Sequence, residues 1–252
     1  MQFVARRGLL KRFQSSMSSS QSSLKSPADV LSFWFGGEWN NNEKLNDPQF
    51  MFSLFPLWWG LNPDFSPLSA EEKLKVDQST LQFIETVRAV GTATPTAKSP
   101  LPSEWDTLDG TFAKLILCDQ ICRNCFRGTD EAFAYGSTSL SACRQILSSE
   151  SWRVLSLSAH TFLTTAFQHS EDVEDHKNNV VVVENVGEKF GLENMMYLQL
   201  KKHCEDHKAV IDRFGRYPHR NKLLGRESTE EEAAYLSDID SLHDWEKSQT
   251  KK

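Results

Sequence analysis

What this 252-residue sequence lacks narrows its reading before any motif is weighed. No stretch approaches the ~20 apolar residues of a membrane-spanning helix, so no membrane span is expected. There is no surplus of basic residues: 28 Lys and Arg stand against 34 Asp and Glu, a net charge of −6. That balance argues against general affinity for nucleic acid, whose phosphates need a basic face. No nucleophile elbow, phosphate-cradling glycine loop or dinucleotide fingerprint is present, so no motif announces a reaction type. No internal repeat of fixed period stands out. The five cysteines, Cys118, Cys122, Cys125, Cys143 and Cys204, are odd in number and follow no secretory signal. That fits reduced thiols in the cytosol or an organelle matrix.

Acid is also absent before Asp29, while Arg6, Arg7, Lys11 and Arg12 sit among Phe3, Val4, Leu9, Leu10 and Phe13, followed by a Ser-rich stretch. This is the composition of an organelle transit peptide, and its arginine content favours the mitochondrial matrix over the plastid. The alternatives are an uncleaved, disordered tail on a cytoplasmic protein, or an extension upstream of Met17 as the true start. The expected organisation is a leader over 1–27, one helical domain over 28–246 and a frayed tail over 247–252.

Hydrophobic periodicity predicts helices over 28–35, 69–90, 112–126, 129–147, 159–183 and 197–214, and another from Ser228 onward. Val180 to Val183 would favour a strand in isolation, but helical flanks enclose them. Between Asn40 and Pro67 the prolines and asparagines predict an aromatic-rich loop, packed as a lid on the core or as the wall of a site. Asp109 or Thr111 is the expected cap of the helix over 112–126. Thr92 to Pro102 reads as a linker. The class is all-α.

Three polar stretches could carry chemistry. In Asp119, Gln120, Arg123, Asn124 and Arg127, closed by Gly128, residues four apart share one helix strip next to buried positions. In His169, Glu171 and Asp172, the spacing of His169, Asp172 and His176 predicts a common helix face. Such a face suits an acid–base pair or zinc or non-haem iron. The third and densest stretch holds Arg213, Arg216, His219, Arg220, Asn221 and Arg226 around Gly215, Pro218 and Gly225. Four guanidiniums cannot be buried unpaired, so this run needs acids or an anionic ligand, and the three stretches are expected to meet. His207 belongs to that cluster or to the core.

In order, Asp-Gln-x-x-Arg-Asn-x-x-Arg-Gly, His-Ser-Glu-Asp and Arg-Phe-Gly-Arg-Tyr-Pro-His-Arg-Asn-x-x-Leu-Gly-Arg, with Phe33 to Gly36 and Trp105, resemble the bacterial helical family called domain of unknown function 924. The resemblance spans about residues 28 to 240. It implies a helical array similar to tetratricopeptide repeats, in one domain, with no established activity. The family pattern carries an amide at the position of His176, which removes a third ligand and leaves no metal in the reading. It carries apolar or proline residues where Cys118 and Cys122 stand. The spacing of Cys118, Cys122 and Cys125 mimics an iron–sulfur cluster of radical enzymes, but these cysteines lie on a predicted helix in a chain without strands. They are read as small apolar packing residues, and no cofactor is expected.

Three functions follow. In the first, Arg216, Arg220 and Arg123 hold a small anionic molecule, a carboxylate or phosphate, while His169 or His219 moves a proton and Glu171 orients it, in hydrolysis or lyase chemistry. In the second, the helices form a groove for an acidic peptide. In the third, the charges neutralise one another and clamp the helices. The first is preferred.

Overall fold

A computed structural model describes residues 24–93, 101–240, 242, 243 and 245–247. Most of the expected leader, 1–23, and most of the linker, 94–100, lie outside the described residues; 24–27 of the expected leader are described and hold the cap and first residue of a helix. Among those described the fold is all-α, the only extended pairing being an isolated bridge between Leu61 and Pro67. None of the described helices is long and apolar enough to cross a membrane.

Helix α1 (Pro27–Trp34) starts on a capping box in which Ser26 and Asp29 satisfy each other's backbone, with Pro27 in the first turn, where its missing N–H costs nothing. Its buried stripe of Val30, Leu31 and Trp34 lies on α6 (Leu108–Leu115). The stretch expected as loop instead folds into α2 (Asn42–Asn46) and α3 (Pro48–Trp59). Asn41 and Asp47 cap them, and Pro48 starts α3 rather than breaking it. Pro56 does forfeit a hydrogen bond inside α3. Burial of Met51, Phe55 and Trp58 offsets that loss, at about 1.5–3 kcal/mol per large side chain. The Trp58 Nε1 donates to the Trp34 carbonyl at 2.8 Å. The stretch is thus part of the core, where Trp34, Phe35, Trp58 and Phe162 meet edge to face.

The helix expected over 69–90 is two, α4 (Ala70–Thr80) and α5 (Ile84–Gly91), joined by a 3-10 turn. Helix α6 is capped by Thr107, which accepts from Gly110 N at 3.0 Å, and not by Asp109 or Thr111. A Cβ at Gly110 would lie 2.3 Å from the Glu104 carbonyl oxygen, so only glycine lets α6 meet the preceding 3-10 turn. The chain continues without interruption through a π-helical segment, Ile116–Ile121, into α7 (Cys122–Cys125).

Beyond Gly128 and a 3-10 turn (Asp130–Phe133) come α8 (Gly136–Leu147), α9 (Leu157–Gln168), α10 (Val173–Phe190) and α11 (Met195–Phe214). Helices α9, α10 and α11 pack in series, and α8 packs on α6. The Val180–Val183 run is helical, as its flanks required. The single helix expected over 159–183 is broken at His169–Asp172. Asp172 accepts from Glu174 N at 2.9 Å and starts α10, while Ser170 Oγ receives the Asp172 N–H at 3.0 Å. A short 3-10 turn (Pro218–Arg220) follows α11, and α12 (Glu230–Ser237) opens on a Thr229–Glu232 capping box. The π segment sits at the centre, in contact with α1, α5, α6 and α8.

Candidate functional site

The π segment positions the first two site residues. Its backbone bonds run five residues back, as from Cys122 N to the Leu117 carbonyl, and such wide turns occur often at functional sites. Asp119 and Gln120 lie within it, both buried. The Asp119 carboxylate receives Gln120 Nε2, Arg123 Nη2 at 3.2 Å, and His169 Nδ1 at 2.7 and 2.9 Å. His169 is presented by the turn between α9 and α10. That acceptor-only partner assigns the Nδ1–H tautomer, which leaves Nε2 as an unprotonated acceptor.

Arg220 completes the group from the 3-10 turn after α11. Its Nη1 donates to the His169 carbonyl at 2.9 Å. Its guanidinium lies 4.4 Å from the Tyr217 ring centroid and 5.4 Å from that of Phe133, over which Arg123 also lies at 5.0 Å. The three expected stretches therefore meet, through Asp119, Arg123, His169 and Arg220.

Electrostatics sets the protonation states. Burial alone would raise the Asp119 pKa. The cationic Arg123 and the donors from His169 and Gln120 outweigh it and hold the carboxyl well below the usual range. For His169, burial and then Arg123 win over the attraction of Asp119 and push its pKa down. It is neutral at physiological pH. Burial and the neighbouring Arg123 depress Arg220 to about 10, which leaves it cationic.

The remaining predicted residues serve elsewhere. Glu171 takes a bidentate pair of hydrogen bonds from Arg226, at 2.7 and 3.0 Å, and one from Tyr217 N at 2.9 Å. It ties two loops together and is not free to orient His169. Arg216 clamps Glu232 at 2.6 and 2.8 Å, Asn221 reaches the same carboxylate at 3.2 Å, and Arg213 pairs with Glu231 at 2.9 Å. These three hold α12 and do not face the cluster, a pairing hidden because the acids arrive later in the chain. The buried His219 ring faces Trp245 and the Glu246 carboxylate, 3.6 Å away, rather than Asp119. Asn124 receives Arg127 Nη2 at 2.5 Å, and Arg127 also meets Asp77, which ties α7 to α4.

The helix break separates the predicted metal face. Asp172 caps α10, and His176 Nε2 bonds the Ser170 carbonyl at 2.9 Å. Cys118, Cys122 and Cys125 are buried and free in helical backbone, and Cys122 and Cys125 donate their thiols to the carbonyls of Cys118 and Thr80.

Sequence reading missed Phe133 and the ring of Tyr217 as guanidinium platforms. An aromatic inside the arginine-rich motif was the available signal for Tyr217. It also missed Arg144, whose Nε and Nη2 grip the fully buried Asp175 at 2.8 and 2.7 Å.

Comparison with known proteins adds a family and a fold. The model of a family described as bacterial protein of unknown function (DUF924) matches residues 30–240. A solved structure of a protein of unknown function from Agrobacterium tumefaciens is similar, with a TM-score of 0.50 and 22% identity, covering 84% of this chain and 97% of that one. At that identity the likeness bears on the fold alone. No curated protein matches.

Proposed function

From the premise that the chain belongs to the DUF924 family, whose description assigns no function, we propose that Asp119, Arg123, His169 and Arg220 bind a small anionic molecule and move a proton on it. The observation that carries this reading is Arg220. It is 8% exposed, and among the described residues no carboxylate lies within ion-pair distance of it. Asp119 and Glu171 attract it from beyond pairing distance, but a buried guanidinium with no paired carboxylate costs several kcal/mol, and an anion from outside would supply the pair that the described residues do not.

His169 fits the role of base. Asp119 orients its ring and would stabilise the imidazolium that forms when Nε2 takes a proton. Arg123 and Arg220 would hold the anionic group and disperse negative charge as it develops. Hydrolysis or elimination begun by proton removal is the matching reaction class.

Two features favour a small molecule over a peptide in a groove. The side chains of Arg123 and His169 are only 20% and 22% exposed, and the more open Arg213 is already paired. The remaining arginines support the clamp reading for their own positions.

The test is thermal shift and native mass spectrometry of the whole chain with carboxylates and phosphates at millimolar concentration. Some anion should raise Tm, His169→Asn should retain that shift while losing turnover, and Arg220→Met should lose the shift. Absence of stabilisation by every anion would sink the reading.

A further inference from the structure

The anion can be specified further, and this inference rests on the site proposed above. The chain itself shows what normally occupies a guanidinium edge in this fold. Arg88, Arg144 and Arg216 each present Nε and Nη2 together to one carboxylate, those of Glu131, Asp175 and Glu232. Arg127, Arg153 and Arg213 also place Nε on a carboxylate. Arg226 uses its Nη1 and Nη2 edge instead, for Glu171. Arg123 and Arg220 differ. The Nε of each is buried without a hydrogen-bond partner, as is that of Arg226, but Arg226 holds a carboxylate with two nitrogens, whereas of Arg123 and Arg220 only Arg123 touches an acid, through Nη2 alone.

Aromatic rings already lie against both guanidiniums. Phe133 lies under both, and Tyr217 covers Arg220 as well. The unpaired donors lie on the edges, and a guanidinium edge suits a two-oxygen acceptor, a carboxylate or a phosphate.

Charge separates the two. Arg123 and Arg220 contribute two positive charges, Asp119 one negative, His169 none, and the Glu171–Arg226 pair cancels. One positive charge is left. A carboxylate neutralises it, whereas a phosphate monoester carries about −1.5 to −2 at pH 7 and would leave excess negative charge beside the buried Asp119.

We infer that the ligand is a small monocarboxylic acid, whose carboxylate lies on the unpaired Nε edge of Arg220 with Arg123 as its second contact. The rest of the molecule then extends toward His169 Nε2.

The experiment is isothermal titration of the full chain with butyrate and benzoate, their phosphonate counterparts, succinate and inorganic phosphate. Monocarboxylates should bind at least tenfold more tightly than the matched phosphonates and succinate. Arg220→Met should weaken them more than tenfold. Arg220→Lys keeps the charge but not the two-donor edge, so it should weaken monocarboxylate binding more than tenfold while keeping the order of the probes. Tighter binding of phosphonate, phosphate or succinate to the wild-type chain overturns this inference and leaves the anion site standing. An Arg220→Lys variant that binds monocarboxylates as tightly as the wild type also overturns it. Failure of every probe to bind brings down both.

Discussion

Arg144 and Arg220 are the same side chain in two opposite settings. Arg144 spans α8 and α10, half exposed, with both edge nitrogens on the buried Asp175. Arg220 is more deeply buried, yet it meets a carbonyl and two rings and no acid. The first arrangement holds helices together. The second leaves a cation that no carboxylate of the described residues pairs with. In an arginine-rich motif, the difference between a clamp and a binding group lies in whether a carboxylate of the same chain takes two nitrogens of one guanidinium edge.

The largest expected effect that sharpens this contrast is with pH. Burial lowers the pKa of His160, His169, His176, His203, His207 and His219. Unfolded histidines titrate near 6.5, so below that pH the unfolded chain binds protons that the fold refuses, and stability falls as pH falls. The clamp carboxylates Glu171 and Glu232 have lowered pKa values, so their contribution persists above about 4.5 and is lost only below it. Urea titrations from pH 7.5 to 5 should therefore show a loss of stability before the clamps respond. A flat profile between 6.5 and 5 would contradict the neutral, buried assignment of these rings.

Breaking the clamp comes next. Arg144→Ala leaves Asp175 with only the Ser170 hydroxyl, at 2.7 Å, and should cost about 3 kcal/mol, seen as a lower urea midpoint at unchanged slope. Arg220→Met should do the reverse. It removes an unpaired buried cation at the loss of one hydrogen bond and two ring contacts, so stability without ligand should be equal or higher by up to about 1 kcal/mol. An Arg220→Met loss as large as that of Arg144→Ala would make Arg220 a clamp as well. The smallest effect is the control, Lys177→Ala, which breaks an exposed pair with Glu174 and should change stability by less than about 0.5 kcal/mol.

The helical class and the meeting of three polar stretches were legible because residue type alone demands them. Guanidiniums need acids, and the apolar stripes have helical period. Four of the fourteen candidate side chains, Asp119, Arg123, His169 and Arg220, with Gln120 donating to Asp119, make the cluster. Arg213, Arg216 and Asn221 were misread because Glu231 and Glu232 look like the ordinary acidic first turn of a helix. His176 was misread because a continuous 3.6-residue period conceals a cap. Ser170 and Asp172 are the residue types that terminate and restart a helix, and that signal was present. The wide turn at Ile116–Ile121 left no trace in the pattern, since its residues are those of any buried helix.

That turn has a genetic consequence. A helix whose bonds reach five residues back holds one more residue than a regular turn, and at 3.6 residues per turn each residue is worth about 100° of rotation. Excising a single codon between Ile116 and Ile121 would cancel that extra residue: the turn closes to a regular one and Arg123 and everything beyond it keep about the same face toward α6, whereas the same excision in a regular helix would turn them by about 100°. One deletion there therefore separates what the widened backbone gives Asp119 and Gln120 from what the surrounding helices give the site.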